Sequence, residues 1–74
     1  MTLDLLKVNE TAVVTGYSDN TSIRKQLLAM GLTRNTEVTV VRVAPLGDPI
    51  EIKLRSFSLT LRKQDAAQII IRKV

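Results

Sequence analysis

Residues 50–61 read IEIKLRSFSLTL, and this stretch decides the fold class. Within residues 50–54, and again within residues 57–61, apolar and polar side chains alternate. A period of two is typical of a β-strand with one face buried and the other in water. The two runs are separated only by Arg55 and Ser56, which is short enough for a tight hairpin. We therefore expect two antiparallel strands whose buried face includes Phe57.

The sequence on either side of this hairpin predicts three more strands. Residues 11–17 (TAVVTGY) and 36–43 (TEVTVVRV) are rich in β-branched side chains, and residues 68–72 form a last apolar run. In residues 36–43 the apolar phase slips between Val40 and Val41, which indicates a bulge or a sharp bend. About five short strands in so short a chain predict a mainly β fold, a small and strongly bent barrel without exposed sheet edges.

One short helix is predicted after the first strand. Residues 18–22 (SDNTS) belong to the types that cap helix N-termini. Ile23, Leu27 and Met30 then recur at the spacing of one helix face. Gly31 follows, where a helix that ends in the left-handed conformation prefers glycine. The pattern corresponds to about two and a half turns at the usual 3.6-residue repeat.

Length and composition favour one cytosolic domain over residues 1–74. A chain of 74 residues, 45% of them hydrophobic, has room for one core. The absence of cysteine excludes disulfides and favours the cytosol. The N-terminus does not resemble a signal peptide, and no apolar run approaches the ~20 residues that span a bilayer. Residues 3–8 are expected to pack onto the domain as a short arm, and residues 63–67 to form one helical turn.

The residue types present exclude most catalytic and metal chemistry. The chain lacks both histidine and cysteine, so imidazole and thiolate groups for acid–base catalysis and metal binding are missing. Its three glycines are scattered and form no phosphate-binding loop. We predict a protein that is not an enzyme and that has no catalytic, cofactor-binding or metal-binding residues.

Asp48 and Glu51 are the best-placed pair of carboxylates. Their oxygens could hold a hard cation such as Mg²⁺ or Ca²⁺. Alternatively, Asp48 caps a loop, and Glu51 points outward from its strand and pairs with Lys53 or Arg55. We favour the second interpretation, because two carboxylates without further donors make a weak metal site.

The charge balance allows a polyanionic partner. Eleven Lys and Arg against seven Asp and Glu give a net charge of +4. Such a balance fits nucleic acid, anionic lipid or an acidic protein face, but also an ordinary solvated surface. Single-stranded nucleic acid, bound without sequence preference, is the main alternative function. It is disfavoured because Phe57 is expected to be buried, which leaves only Tyr17 for stacking. The basic residues that cluster in the C-terminal half are Lys53, Arg55, Arg62, Lys63, Arg72 and Lys73.

Three stretches of the sequence resemble one known family. Residues 24–33 (RKQLLAMGLT), 41–50 (VRVAPLGDPI) and 59–63 (LTLRK) resemble, in order and spacing, the FeoA family of small proteins in bacterial ferrous iron uptake. The resemblance implies an SH3-like barrel and a cytosolic accessory protein that works with FeoB, a membrane transporter carrying a G-protein domain. Two departures are Asn9-Glu10, where many relatives have Pro-Gly, and Ser56, where many have glycine.

Together with this resemblance, the positions that strand packing does not demand predict a docking surface. We expect a non-catalytic regulator that docks on the cytosolic face of the transporter and is thereby peripheral to the membrane. The basic C-terminal face is expected to add weak contact with anionic lipid, and self-association is a further alternative. The helix stripe also fits a core position, and the proline-rich loop also fits a rigid connector. The predicted contact residues are Leu27, Leu28, Met30, Gly31, Leu32, Pro45, Leu46, Gly47, Asp48 and Pro49.

Overall fold

The computed structural model describes residues 1–18 and 23–74, so residues 19–22 of the predicted capping run lie outside the described residues. The mainly β class and the helix after the first strand are as predicted. In chain order the elements are a 3-10 helix (Leu3–Leu5), β1 (Thr11–Tyr17), α1 (Arg24–Ala29), β2 (Glu37–Val43), β3 (Ile50–Leu54), β4 (Phe57–Leu61), α2 (Lys63–Ala66) and β5 (Ile69–Lys73).

The strands form one antiparallel sheet in the order β4-β3-β2-β1-β5. The predicted tight hairpin joins β3 to β4 and places Leu54 opposite Phe57. Its left-handed residue is Arg55, with φ 55°, whereas Ser56, the position that departs from the family pattern, does not have a positive φ. This order leaves β4 and β5 at the two ends of the sheet. The sheet therefore keeps two edges, contrary to the predicted edge-free closure.

The N-terminal segment covers part of the outer edge of β5. Thr2 forms an isolated bridge with Ile70. The amide N–H of Ile71 also donates a hydrogen bond to the carbonyl oxygen of Met1, at 2.9 Å. Leu3 and Leu6 are buried in the core, as expected for an arm that packs onto the domain. The arm thus protects an edge that would otherwise be free to pair with another chain.

The phase slip in the sequence of β2 corresponds to a bulge. Val40 pairs with Ile52 and Arg42 pairs with Glu51, so that Val41 has no opposite residue in β3. Val41 is exposed, while Val40 is buried. The bulge was predicted because a single extra residue shifts every later side chain to the other face.

A second bulge, in β1, has no comparable signal in the sequence. The pairing of β1 with β5 shifts between Val14 and Gly16. Thr15 lies at the shift, and its hydroxyl donates a hydrogen bond to the carbonyl oxygen of Ile70, at 3.2 Å. The side chain therefore supplies a link across the strands where the regular register is interrupted.

The helix α1 is shorter than predicted but ends as predicted. Gly31 has φ 100°, in the left-handed region. Its N–H donates to the carbonyl of Leu28, and the N–H of Leu32 donates to the carbonyl of Leu27, both at 3.1 Å. These two bonds define a Schellman motif, in which residues on both sides of the glycine also pack together. Leu27 and Leu32 are both buried.

The hydrophobic core lies between the sheet, the two helices and the N-terminal arm. It is entirely aliphatic among the described residues, which agrees with a chain that contains one phenylalanine and one tyrosine. The buried hydrophobic residues are Leu3, Leu6, Ala12, Val14, Leu27, Leu32, Val38, Val40, Ile50, Ile52, Leu54, Leu61, Ala66, Ile69 and Ile71.

The predicted burial of Phe57 is wrong. Its side chain is 42% exposed, whereas Leu61, four residues later on the same face, is 4% exposed. Strand β4 is an edge strand, and Phe57 begins it at the hairpin turn, where the covering layer ends. The ring lies beside Gly31, since a Cβ atom placed on that glycine would lie 3.4 Å from the Phe57 Cζ. Alternation along a strand predicts which side chains share a face of the sheet, but it does not predict how much of that face other elements cover.

Candidate functional site

The loop between β2 and β3 is held in one shape by its own backbone. The N–H of Ala44 donates to the carbonyl of Pro49 at 3.0 Å, and the N–H of Gly47 donates to the carbonyl of Ala44 at 2.7 Å. Gly47 has φ 88°, a conformation that favours glycine. The peptide bond between Asp48 and Pro49 is cis. This loop is therefore a defined surface on the end of the sheet.

Asp48 anchors the same loop to α2. Its Oδ1 accepts a hydrogen bond from the backbone N–H of Lys63, at 2.9 Å. Lys63 is the first residue of α2, so the carboxylate satisfies a donor that the short helix itself cannot satisfy. Asp48 is thus a capping residue, but it caps the start of α2 and not, as predicted, a loop. Its place in the motif has a structural reason, independent of any partner.

Glu51 forms an ion pair, but not with the predicted lysine or arginine. Its Oε1 lies 2.7 Å from the Nη2 of Arg42. Neither Lys53 nor Arg55 makes this contact, because the bulge in β2 places Arg42 directly opposite Glu51 across the two strands. The carboxylates of Asp48 and Glu51 therefore have different partners and do not form a shared site.

Leu46 is the most exposed large hydrophobic residue that the structure describes, at 97%. Pro45 and Pro49, on either side of it, are also exposed. Beside them is a groove of about 340 Å³, walled on one side by the Arg42–Glu51 ion pair. The residues that line the groove are Arg42, Ala44, Pro45, Pro49, Glu51 and Thr60.

The predicted contact residues at the end of α1 divide into two groups. Leu27 and Leu32 are 2% and 0% exposed, so their side chains belong to the core and are not presented at the surface. Leu28, Met30 and Gly31 are half-buried. With the exposed Phe57 beside Gly31, these three residues form a partly apolar surface that we name the helix-end patch. Sequence reasoning missed Phe57 because the alternation placed it inward.

The structure does not bring the loop and the helix-end patch together. The helix-end patch lies at the hairpin end of β3, since Gly31 adjoins Leu54 and Phe57. The loop of residues 44–49 lies at the opposite end, where β3 begins at Ile50. Four residues of extended chain separate these ends by about 13 Å. The ten predicted contact residues are thus distributed between two separate surfaces and the core.

A basic cavity between β1 and α1 was not predicted. It has a volume of about 240 Å³ and is lined by Gly16, Tyr17, Arg24, Leu28 and Arg34. The Arg24 guanidinium lies 6.0 Å from the centre of the Tyr17 ring, within the range of a cation–π contact. The basic cluster that is visible in the sequence lies in the C-terminal half of the chain. The spacing of residues 24 and 34 gives no sign that these two arginines lie close together in the fold.

Tyr17 uses its hydroxyl to hold the end of the helix. The hydroxyl donates a hydrogen bond to the carbonyl oxygen of Leu32, just beyond the Schellman motif. Burial raises the pKa of Tyr17, and the nearby positive charge of Arg24 partly offsets this effect. The tyrosine is therefore neutral at physiological pH, and its hydroxyl is occupied by the Leu32 carbonyl.

The described residues contain neither a metal-ion cluster nor a membrane-spanning helix. Residues 1–18 and 23–74 contain no group of three or more His, Cys, Asp or Glu side chains placed to hold a metal ion. Within the same residues, no helix has the length and apolar character needed to cross a membrane.

Comparison with known proteins gives a consistent result. The FeoA domain model matches residues 1–73. A curated relative from Porphyromonas gingivalis, a fusion of Fe(2+) transport protein A with the Fe(2+) transporter FeoB, is 35% identical over 69 residues. Those residues are 93% of this chain but only 8% of the fusion protein. The chain thus corresponds to one small part of that relative.

Solved structures share the whole fold. A FeoA-like protein from Clostridium acetobutylicum has a TM-score of 0.93 and 32% identity, over 100% of this chain and 86% of its own. FeoA of Stenotrophomonas maltophilia, solved with zinc and described as an SH3 domain protein and a candidate activating factor of ferrous iron transport, has a TM-score of 0.84 and 26% identity. That match covers 97% of this chain and 89% of the other. The five-stranded sheet described above is therefore an SH3-like fold.

Proposed function

Since the chain belongs to the FeoA family, we propose that it is a non-catalytic accessory protein of ferrous iron uptake that docks on the cytosolic part of a FeoB-type transporter. The observation that carries this proposal is the fusion of a homologous domain to FeoB in the Porphyromonas gingivalis relative. Fusion makes an encounter between two modules intramolecular and raises their effective concentration to the millimolar range. A higher effective concentration is an advantage only when the two modules bind each other.

The loop of residues 44–49 supports docking best. Its backbone is fixed by internal hydrogen bonds, so the loop would lose little conformational entropy when a partner binds it. Leu46 stands almost fully in water on this fixed loop. Burial of a leucine side chain is worth about 1.5–3 kcal/mol, which makes Leu46 a suitable anchor for an apolar pocket on the partner. The groove beside it could accept a side chain in return.

The helix-end patch is a second, separate candidate contact. Phe57 and Met30 offer apolar surface there, and Gly31 allows a close approach of another backbone. Because this patch lies at the other end of β3, a partner that covers the loop would not need to cover it. The loop is therefore the first candidate for the docking contact, and the patch would meet a second part of the transporter.

Docking can act on transport without any chemistry in this chain. A bound adaptor shifts a conformational equilibrium of its partner only by its difference in affinity for the two conformations. Ferrous iron is then the cargo of the transporter, and this chain has neither histidine nor cysteine with which to hold it. A cytosolic site of action also places the exposed basic residues near the inner leaflet, where each adds about 1 kcal/mol of attraction to anionic lipid.

The test is co-purification of the tagged chain with full-length FeoB from detergent-solubilised membranes. We expect Leu46→Glu to abolish retention, because it places a charge in the apolar contact. Leu28→Glu reports on the helix-end patch in the same way. Leu5→Glu is the matched control, since Leu5 is an exposed leucine outside both surfaces. Normal retention and normal iron uptake with folded Leu46→Glu would exclude the loop as the docking site.

The nucleic-acid alternative is tested alongside. The exposure of Phe57 restores one aromatic side chain that could stack on a base, and Lys53 and Arg55 lie nearby on the same hairpin. Binding of this kind predicts retention on single-stranded oligonucleotides that falls steeply with salt. Such retention, together with no capture by FeoB, would replace the adaptor proposal. Light scattering at several concentrations of the chain distinguishes self-association from both.

A further inference from the structure

The basic cavity between β1 and α1 has no acidic side chain among the described residues that line it. Two of those residues, Arg24 and Arg34, are arginines. The ion pairs found within residues 1–18 and 23–74 use Arg42 and Lys73, not Arg24 or Arg34. Two positive charges thus face one cavity without a countercharge from the described part of the chain.

The lining defines what a ligand must offer. The Tyr17 hydroxyl is committed to the Leu32 carbonyl, and Gly16 and Leu28 have no polar side-chain atoms. Among the described residues of the lining, the side-chain hydrogen-bond donors that remain are the two guanidinium groups, which have no acceptor function. A ligand must therefore accept hydrogen bonds and carry negative charge. Guanidinium groups bind planar faces of carboxylate and phosphate oxygens, often in pairs of parallel hydrogen bonds.

Gly16 adjoins the Arg34 guanidinium. A Cβ atom at this position would lie 3.9 Å from the Nη2 of Arg34, an ordinary contact distance. At the other side, Arg24 rests over the face of the Tyr17 ring, which holds its guanidinium near the cavity. The fold therefore places both guanidinium groups at the cavity, Arg24 over the Tyr17 ring and Arg34 beside Gly16.

We propose that this cavity is a binding site for a phosphate group. A dianion balances two guanidinium charges better than a monoanion such as a carboxylate does. The volume of about 240 Å³ is below the ~300–1,000 Å³ of pockets for drug-sized ligands, which limits the bound part to a small group. Inorganic phosphate and the phosphate of an ester share this chemistry. All the residues that are proposed to bind the phosphate are in this chain, so binding does not depend on docking to a transporter.

The experiment is a titration of the full chain with inorganic phosphate, followed by two-dimensional amide NMR at neutral pH and constant ionic strength. We expect saturable shifts at the amides of Gly16, Tyr17, Arg24, Leu28 and Arg34. Arg24→Gln and Arg34→Gln should each weaken phosphate binding about three- to tenfold, the effect of one lost hydrogen bond to a charged group at an exposed site. Arg72→Gln, which removes the same charge from the exposed part of β5, should change it less than about twofold.

Further arms identify the source of the phosphate and can overturn the proposal. Glycerol phosphate that binds as tightly as inorganic phosphate assigns the site to phosphate esters, and exclusion of the ester assigns it to the free ion. Acetate that binds as tightly as phosphate would overturn the preference for a dianion. No saturable shift in the named residues up to tens of millimolar phosphate would overturn the site itself. An equal loss of binding in Arg72→Gln would show a diffuse charge effect and no site. Because no arm contains the transporter, a negative result leaves the docking proposal unaffected.

Discussion

At the scale of single residues, backbone conformation explains the glycine positions better than side-chain space does. Gly31 and Gly47 have φ values of 100° and 88°, whereas Gly16 has no positive φ. A Cβ atom on Gly31 would meet Phe57 and Leu54 at 3.4 and 3.6 Å, which are ordinary or slightly tight contacts. A Cβ atom on Gly47 would meet nothing within 4 Å. The cost of a side chain at either position therefore comes from the left-handed backbone.

We expect Gly31→Ala and Gly47→Ala to lower the free energy of unfolding by about 1–2 kcal/mol each, the cost of the left-handed conformation for an L-residue. Gly16→Ala should change it by less than about 0.5 kcal/mol, since its backbone suits alanine and the nearest atom is 3.9 Å away. Urea denaturation of the three variants measures these differences. If the Gly31→Ala variant were as stable as the Gly16→Ala variant, the left-handed backbone would not explain why residue 31 is glycine.

Glu10 makes the stability of the fold depend on pH. Its carboxylate accepts hydrogen bonds from the Lys73 side chain and from the backbone N–H of Lys7, and these bonds lower its pKa below the ordinary value of 4.5. A carboxyl group whose pKa is lower in the folded than in the unfolded state contributes its full stabilisation of the fold at pH values above its unfolded pKa. The contribution disappears as the pH falls through the folded pKa.

We therefore expect Glu10→Gln to lower the free energy of unfolding at neutral pH, and this difference from the unmodified chain should shrink as the pH falls below about 4.5. Urea denaturation at a series of pH values from neutral to acidic measures it. Glu37→Gln is the control, because Glu37 is an exposed glutamate that makes neither ion pair found among the described residues. A difference that stays constant with pH would show that the Glu10 charge contributes nothing.

At the scale of elements, two short elements depend on partners from outside themselves. The four residues of α2 are too few for a stable helix. The first backbone N–H of α2, that of Lys63, donates a hydrogen bond to Asp48 in the loop between β2 and β3. The helix also packs on the N-terminal 3-10 helix. The loop of residues 44–49 and α2 therefore hold each other in place, and the most distinctive motif of the sequence has a packing role as well as a proposed docking role.

We expect Asp48→Ala to cost about 0.5–1.5 kcal/mol of stability, because the N–H of Lys63 loses its acceptor. Asp48→Asn keeps a side-chain oxygen in place and should cost less. A loss of 1 kcal/mol corresponds to a fall in Tm of about 4–8 °C for a domain of this size, so thermal unfolding followed by circular dichroism resolves the two variants. If Asp48→Ala had the same Tm as the unmodified chain, the hydrogen bond would contribute nothing to stability.

At the scale of the whole molecule, the fold places different surfaces at different ends. The molecule measures 29 × 22 × 21 Å. The exposed Leu46 and its groove occupy one end of β3. The helix-end patch lies at the other end, and one of its residues, Leu28, also lines the basic cavity. A partner bound at the loop would therefore leave the cavity accessible, so docking and phosphate binding are separable by experiment.

The sequence by itself determined the class of fold and most of its local structure. Alternation in β3, the phase slip at Val40 and the glycine after α1 are short-range patterns, and each depends on the geometry of a few adjacent residues. The match to the FeoA family rests on the same local stretches. For Asp48 the sequence indicated a capping carboxylate but not that it would cap α2, which is fifteen residues further along the chain.

Only the tertiary structure decided which surfaces those elements form. The exposure of Phe57, the pairing of Glu51 with Arg42, the burial of Leu27 and Leu32 and the convergence of Arg24 and Arg34 all depend on which strands are neighbours and on where the covering layer ends. Residues far apart in the chain meet through the strand order β4-β3-β2-β1-β5. That order results from the packing of the whole core, so no short stretch of sequence specifies it.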